Sequence, residues 1–183
     1  MDVSVCVFCA SSTAIDQRYL DLAADVGTDI GQRGWSLVSG GGSISMMGAV
    51  ATAARAAGAH TTGVIPDALL AMEVADHDAD ELVVTTDMRQ RKGVMDELSD
   101  AFLALPGGIG TLEELVEVWT SRSLNMHDKP VVILDPWGDY SHLHALLDHW
   151  VTMGFVKPTA VARAHWTTSV DEALDAIADQ LGL

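Results

Sequence analysis

Short apolar runs alternate with longer amphipathic segments along the whole chain. Runs with the length and β-branched content of buried strands are Val3 to Phe8, Trp35 to Val38, Thr61 to Ile65, Leu82 to Thr85, Ala101 to Leu105 and Val131 to Leu134. Segments with helical periodicity are Ile15 to Gln32, Met46 to Ala57, Pro66 to Ala71, Arg89 to Ser99, Leu112 to Ser123, Tyr140 to Met153 and Val170 to Leu181. This alternation predicts an α/β fold, a three-layer sandwich in which helices cover both faces of a central parallel sheet.

The length and the charge of the chain restrict what it can bind. Its 183 residues predict one domain spanning residues 1–183, because domains commonly hold roughly 100–200 residues. Ten Lys and Arg against 26 Asp and Glu give a formal net charge of −16. Such a surface repels polyanions, so nucleic acid and anionic membranes are poor partners. No apolar run reaches the ~18 residues that a membrane span needs, and we expect a cytoplasmic protein.

A row of glycines follows the second predicted strand. The sequence is SGGGSISMMGAV, in which Gly40, Gly41 and Gly42 precede a helix. Glycines let the backbone approach a ligand and present N–H groups near the positive end of a helix dipole, which is how phosphates are bound. The spacing matches neither a dinucleotide fingerprint nor a nucleoside-triphosphate P-loop, and a tight turn without a ligand is the alternative.

A second glycine-rich turn, LALPGGIGTLEELVEVW, follows the fifth predicted strand. Because ligands of open parallel sheets bind beyond the carboxyl ends of the strands, we expect both glycine loops to face one crevice. Thr111 and Glu114 have the spacing of a capping box, in which side chains satisfy the first N–H groups of a helix. Spacing alone leaves capping and catalysis open for Glu114.

Basic residues cluster in DMRQRKGVMDEL, where Arg89, Arg91 and Lys92 occupy the predicted first turn of a helix. The helix dipole opposes cations there, which suggests that an anion binds nearby. A solvated helix face with local carboxylate partners is the alternative. No metal site is predicted: His142, His144 and His149 lack metal-ligand spacing, and Cys6 and Cys9 point to opposite faces of a buried strand.

Taken together, these motifs resemble the Lonely Guy (LOG) family of cytokinin riboside 5′-monophosphate phosphoribohydrolases, long mislabelled as lysine decarboxylases. The resemblance covers nearly the whole chain. It is carried by VCVFCASS, SGGG with MMGAVA, GVIP, DMRQRK, PGGIGTLEEL and HDKPVVIL. The chain departs from the common family pattern at Ser39, where many members have Tyr, and at Ser45, where many have Gly, which affects base preference more than reaction type.

The resemblance implies a Rossmann-like homodimer that hydrolyses the N-glycosidic bond of an adenosine 5′-monophosphate, N6-substituted or plain, without a cofactor or metal. Arg91 and Glu114 match the family's catalytic pair. Positions that match substrate contacts are Glu73, Lys92, Gly41, Gly42, Gly107, Gly108, Ile109, Gly110, Thr111, Leu112, Glu113 and Thr120. The expected dimer interface is apolar helix surface such as that near Trp119.

Each residue type in the expected catalytic site suits a specific task. Ribosyl transfer passes through an oxocarbenium-like transition state, so a carboxylate such as Glu114 can stabilise the charge or activate water. Glu117 shares its helix face and is the only plausible second carboxylate there. Arg91 should orient Glu114, sugar or phosphate rather than donate a proton.

Two other functions compete with hydrolysis. One is a nucleotide- or molybdenum-cofactor-binding carrier protein on the same scaffold, which fold alone does not distinguish from an enzyme. The other is pyridoxal-phosphate decarboxylation, which needs a Schiff-base lysine, and the chain has only Lys92, Lys129 and Lys157.

Overall fold

The computed structural model describes residues 3–70 and 75–183. Its strands are β1 (Ser4–Phe8), β2 (Ser36–Ser39), β3 (Thr61–Pro66), β4 (Glu81–Thr85), β5 (Ala101–Ala104), β6 (Val131–Leu134) and β7 (His165–Thr167). Its helices are α1 (Gln17–Gln32), α2 (Ser45–Ala56), α3 (Asp67–Leu70), α4 (Met88–Glu97), α5 (Ile109–Ser123), α6 (Ser141–Thr152), α7 (Pro158–Val161) and α8 (Val170–Leu181).

Within the described ranges the strands form one seven-stranded sheet in the order β4-β3-β2-β1-β5-β6-β7. Every neighbouring pair is parallel. The chain moves outward from β1 through β4 and then returns to the other side of β1 with β5. The strand order therefore reverses between β1 and β5, where open α/β sheets form their ligand crevice.

Alternate residues of β1 face two different hydrophobic cores, as the two-residue period of a strand requires. Val5 and Val7 pack in the core beneath α1, α2 and α8. Cys6 and Phe8 pack in the core beneath α4, α5 and α6. Helices thus cover both faces of the sheet, which confirms the predicted three-layer α/β sandwich.

Capping side chains, rather than the apolar pattern, determine the residue at which helices α1 and α4 begin. Asp16 caps α1 by accepting from the backbone N–H of Arg18, so α1 begins at Gln17 rather than at Ile15. Asp87 likewise accepts from the N–H groups of Arg89 and Gln90 at the start of α4. Both caps satisfy N–H groups that have no partner within the helix.

Two short elements near the C-terminus escaped the sequence prediction, namely α7 and β7. The strand has three residues, and His165 at its start is exposed, so no sustained apolar run marks it. Helix α3 begins at Asp67 because Pro66 is the last residue of β3. The predicted end of that helix, Ala71, lies outside the described residues. Over the described ranges, no helix combines the length and apolar character needed to cross a membrane.

Candidate active site

Both glycine loops lie at the carboxyl edge of the sheet, one after β2 and one after β5. A cavity of about 400 Å³ opens beside the second loop, between the β1–α1 loop, the start of α2 and the loop that precedes α6. Gly107 and Gly108 line it together with Met46 from the first turn of α2. The cavity therefore sits at the reversal of strand order, where the topology places a ligand.

Arg91 points from α4 into the protein interior and is 8% exposed. Its Nε donates a hydrogen bond of 3.0 Å to the carbonyl oxygen of Val64 in β3. Its Nη1 lies 2.7 Å from Oε1 of Glu114, and its guanidinium packs against the main chain of Gly40. These contacts on three sides fix the orientation of the guanidinium, because its N–H groups point in fixed directions within one plane.

Glu114 faces Arg91 from the second turn of α5, with 12% of its side chain exposed. Burial raises the pKa of the Glu114 carboxyl above its usual value, and the charge and hydrogen bond of Arg91 oppose that increase. A carboxylate held by one directional ion pair and removed from most of the solvent suits proton transfer or charge stabilisation.

The structure excludes the capping-box interpretation of Thr111 and Glu114. Helix α5 begins at Ile109 with Gly108 as its N-cap, and no side chain caps it. Thr111 is buried inside the first turn, while Glu114 pairs with Arg91 instead of with the N-cap. Among residues 3–70 and 75–183, no side chain accepts from the first N–H groups of α5, which leaves a helix N-terminus of the kind that binds anions.

Lys92 forms ion pairs with two carboxylates of α5. Its Nζ contacts Oε1 of Glu113 and lies 2.8 Å from Oε2 of Glu117. The hydrogen bonds to Glu113 and then Glu117 raise the pKa of Lys92. Two members of the basic cluster, Arg91 and Lys92, are therefore paired with carboxylates of the neighbouring helix, whereas the Arg89 side chain is exposed to solvent.

The remaining sequence-predicted contacts are dispersed. Thr120 and Leu112 line a different groove, described below, and the Ile109 side chain is 90% exposed. Space around Gly110 is open. Glu73 lies outside the described residues. The geometry thus pairs Arg91 with Glu114 beside Gly40, pairs Lys92 with Glu113, and leaves Thr120 apart.

Sequence reasoning missed the polar side chains in the wall of the 400 Å³ cavity, which are Ser12, Tyr19 and Asp139. The Tyr19 hydroxyl donates a hydrogen bond of 2.9 Å to Oδ1 of Asp139. Ser12 lies in the CASS stretch that follows β1, which was a usable signal. Tyr19 and Asp139 are 120 positions apart, so no local pattern predicts their contact.

An apolar groove of about 540 Å³ runs along α5, α6 and α7. Its wall includes Val116, Trp150 and Phe155, whose exposed fractions are 43%, 37% and 74%. Trp119, expected at a subunit interface, is itself buried and donates through Nε1 to the carbonyl of Ala160. The exposed apolar surface of the groove therefore comes from residues around Trp119, such as Trp150 and Phe155, rather than from Trp119 itself.

In the part of the chain that the structure describes, no cluster of three or more His, Cys, Asp or Glu side chains could hold a metal ion. Cys6 and Cys9 are buried in opposite cores, and desolvation raises the pKa of both thiols. These cysteines behave as small apolar residues rather than as nucleophiles.

Several proteins are similar in sequence to most of this chain. A family described as possible lysine decarboxylase matches residues 47–177. The chain is 52% identical over 177 residues to the cytokinin riboside 5′-monophosphate phosphoribohydrolase of Mycobacterium tuberculosis, a match that covers 97% of this chain and 94% of that protein. It is also 46% identical over 156 residues to cytokinin riboside 5′-monophosphate phosphoribohydrolase LOG1 of Arabidopsis thaliana. That match covers 85% of this chain and 73% of the Arabidopsis protein.

Solved structures of other proteins share the fold. The molybdenum cofactor carrier protein of Chlamydomonas reinhardtii superposes with a TM-score of 0.75 over 100% of both chains, at 22% identity. DNA processing protein A of Helicobacter pylori gives a TM-score of 0.60 at 11% identity, covering 97% of this chain and 80% of that one. At such identities the likeness is one of fold alone.

Proposed function

The chain belongs to the family of cytokinin riboside 5′-monophosphate phosphoribohydrolases, and on that premise we propose that it hydrolyses the N-glycosidic bond of an adenosine 5′-monophosphate, plain or substituted on N6. The products are the free base and ribose 5-phosphate. The observation that carries this proposal is the buried pair of Arg91 and Glu114 beside the two glycine loops.

Glu114 is the group assigned to the chemical step. As the bond between sugar and base breaks, positive charge develops on the sugar ring, and a nearby carboxylate stabilises it or takes a proton from the attacking water. The water oxygen bonds to the anomeric carbon, and the base leaves with the electron pair of the broken bond and gains a proton. Arg91 holds the Glu114 carboxylate in a single orientation throughout.

The start of α5 is assigned to the 5′-phosphate. The N-cap residue Gly108 provides no side-chain cap, and the open space around Gly108 and Gly110 leaves the backbone accessible to an approaching anion. Gly107 and Gly108, which precede this helix start, line the cavity of about 400 Å³ together with Ser12. This local arrangement would offset the general repulsion of anions by a chain with a net charge of −16.

Decarboxylation suits two of the three lysines of this chain poorly. Lys92 is held by Glu113 and Glu117, and Lys129 donates to the carbonyl oxygen and the carboxylate of Asp96. A Schiff-base lysine must instead present an uncharged amine to its cofactor. We therefore include neither cofactor nor metal in the proposal.

A homodimer is the proposed assembly, with one domain per chain over residues 1–183 and a cytoplasmic location. Support for an interface comes from the apolar groove along α5 and α6, where Trp150 and Phe155 leave large apolar surfaces exposed. Exposed apolar patches of this kind mark association surfaces. Thr120 lines the same groove, so a partner seated there would lie next to a position that matches a substrate contact.

A carrier protein without hydrolysis is the second candidate, because the fold superposes over its full length on a protein named for carrying the molybdenum cofactor. A measurement of free base released from the nucleotide distinguishes the enzyme from the carrier protein. The protein is incubated with adenosine monophosphate and with an N6-alkylated derivative, and free base and ribose 5-phosphate are separated by chromatography. Equimolar products that vanish in Glu114→Gln and Arg91→Ala support the enzyme, whereas nucleotide binding without products supports the carrier.

A further inference from the structure

A buried ion pair lies behind the first glycine loop. Arg55, in the last turn of α2, contacts the Asp76 carboxylate at two points, with Nη1 2.7 Å from Oδ2 and Nη2 3.2 Å from Oδ1. The Asp76 side chain is 7% exposed and that of Arg55 is 20% exposed. A two-point contact between a guanidinium and a carboxylate fixes orientation as well as distance.

The main chain at this ion pair is hydrogen-bonded to the glycine loop. The backbone N–H of Asp76 donates to the carbonyl oxygen of Gly41 at 2.8 Å, and Ala75 forms an isolated antiparallel bridge with Gly42. Gly41 has a φ of +74°, and a Cβ there would lie 3.1 Å from Cβ of Ile65. The loop is therefore confined between β3 and residues 75–76.

The Arg55–Asp76 pair has no hydrogen bond or ion pair in common with the catalytic pair, although Arg91 also packs against Gly40 in the same loop. Arg91 is oriented by Val64 and Glu114, and neither of them contacts Arg55 or Asp76 through a hydrogen bond or an ion pair. Loss of the Arg55–Asp76 contact should therefore move Gly41 and Gly42 more than it moves Arg91.

We propose that Arg55 and Asp76 are positioning residues, which set the location of Gly41 and Gly42 for binding of the nucleotide. This proposal rests on the proposed function. A buried ion pair is weak support for stability, since desolvation offsets much of the attraction, but it specifies geometry well. Removal of either partner leaves the other charge buried and unpaired, and the loop then loses its fixed support.

Asp76→Asn and Arg55→Gln test the proposal, with Arg33→Gln as the matched control. Arg33 also pairs with two carboxylates, those of Asp29 and Asp175, and its side chain is 24% exposed. Its partners lie on α1 and α8, away from the glycine loop. We expect KM for the nucleotide to rise about tenfold in the two test variants, with kcat within about threefold, and Arg33→Gln to leave KM unchanged. Arg55→Lys, which keeps the charge but not the fork, should restore part of the affinity.

Hydrogen exchange of the peptide spanning residues 40–46 provides a readout that needs no activity. Exchange should accelerate in Asp76→Asn and Arg55→Gln but not in Arg33→Gln. A KM and an exchange rate that change no more than in Arg33→Gln would overturn the positioning role. If the wild-type protein releases no base, the proposed function fails, and the exchange experiment still decides whether the ion pair holds the loop.

Discussion

Gly40 and the guanidinium of Arg91 occupy adjoining space. A Cβ built on Gly40 would lie 2.1 Å from Nη2 of Arg91, far inside van der Waals contact. Since Arg91 is anchored to Val64 and Glu114, no side chain fits at position 40 while those contacts persist. The first glycine loop thus makes room for the arginine of the proposed catalytic pair, besides any contact it has with phosphate.

Gly40→Ala should therefore lower turnover while the protein stays folded. The added methyl group displaces the end of a flexible side chain rather than backbone, so Arg91 moves away from Glu114, and we expect a loss in kcat of at least about tenfold. Gly93→Ala is the control, because a Cβ at Gly93 meets no described atom within 4 Å. Equal turnover in the two variants, measured by base release, would show that the placement of Arg91 is unimportant.

Glu114→Gln should lower kcat by at least about 100-fold, because the substitution removes the charge that stabilises the transition state. The amide oxygen can still accept from Arg91, and α5 loses no cap because Glu114 does not serve as one. Loss of the counter-charge of the buried Arg91 should lower the melting temperature, but the protein should stay folded. A variant that melts earlier yet keeps its turnover would assign Glu114 a structural role.

On the acidic side of the pH–rate profile, kcat/KM should decrease at a pH above the usual pKa of a glutamate; this decrease is the acid limb of the profile. Burial raises the pKa of Glu114, and the proposed mechanism needs its carboxylate, so activity should fall as pH decreases through that raised value. The charge and hydrogen bond of Arg91 lower the pKa of Glu114. Because a lysine holds the carboxylate less well, the residual activity of Arg91→Lys should decline at a still higher pH than that of the wild type. A pH–rate profile with the limb at the usual glutamate value would contradict the assignment.

Removal of the 5′-phosphate should reduce kcat/KM by at least about 100-fold. Hydrogen bonds to a charged group contribute roughly 1.5–3 kcal/mol each, and the uncapped start of α5 offers several. Di- and triphosphates should also react poorly, since Asp139 in the cavity wall repels further negative charge. Riboside, mono-, di- and triphosphate are compared at equal concentration; equal rates for riboside and monophosphate would mean that the glycine loops are only turns.

Phe155→Asp should dissociate the proposed dimer. The Phe155 side chain is 74% exposed in the apolar groove, and a carboxylate there cannot be buried against a partner without a large desolvation cost. Leu183→Asp is the control, since Leu183 is 52% exposed and does not line the groove. Light scattering should give half the mass only for Phe155→Asp, and a wild-type monomer with full activity would rule out the assembly.

The sequence by itself determined the fold class and the family. Alternation of strands and helices depends on side-chain periods of two and of three to four residues, which are visible within short windows. That is why six of the strands in the described sheet were predicted and why β7, a three-residue strand with an exposed start, was not. The glycine loops were found in the same way, through local motifs, whereas the pairing of Arg91 with Glu114 was implied by the family resemblance. The family assignment is confirmed by the 52% identical relative.

Only the tertiary structure decided which side chains meet. Thr111 and Glu114 have capping-box spacing, yet α5 begins early enough to place Thr111 inside the helix and to direct Glu114 to Arg91. Lys92 could have faced solvent, but the packing of α4 beside α5 brings it to Glu113 and Glu117. Tyr19 of α1 meets Asp139, and Arg55 of α2 meets Asp76, because each helix packs beside a loop from a later part of the chain. Such contacts depend on strand order and helix packing, which bring together residues far apart in the chain and leave no trace in any short stretch of it.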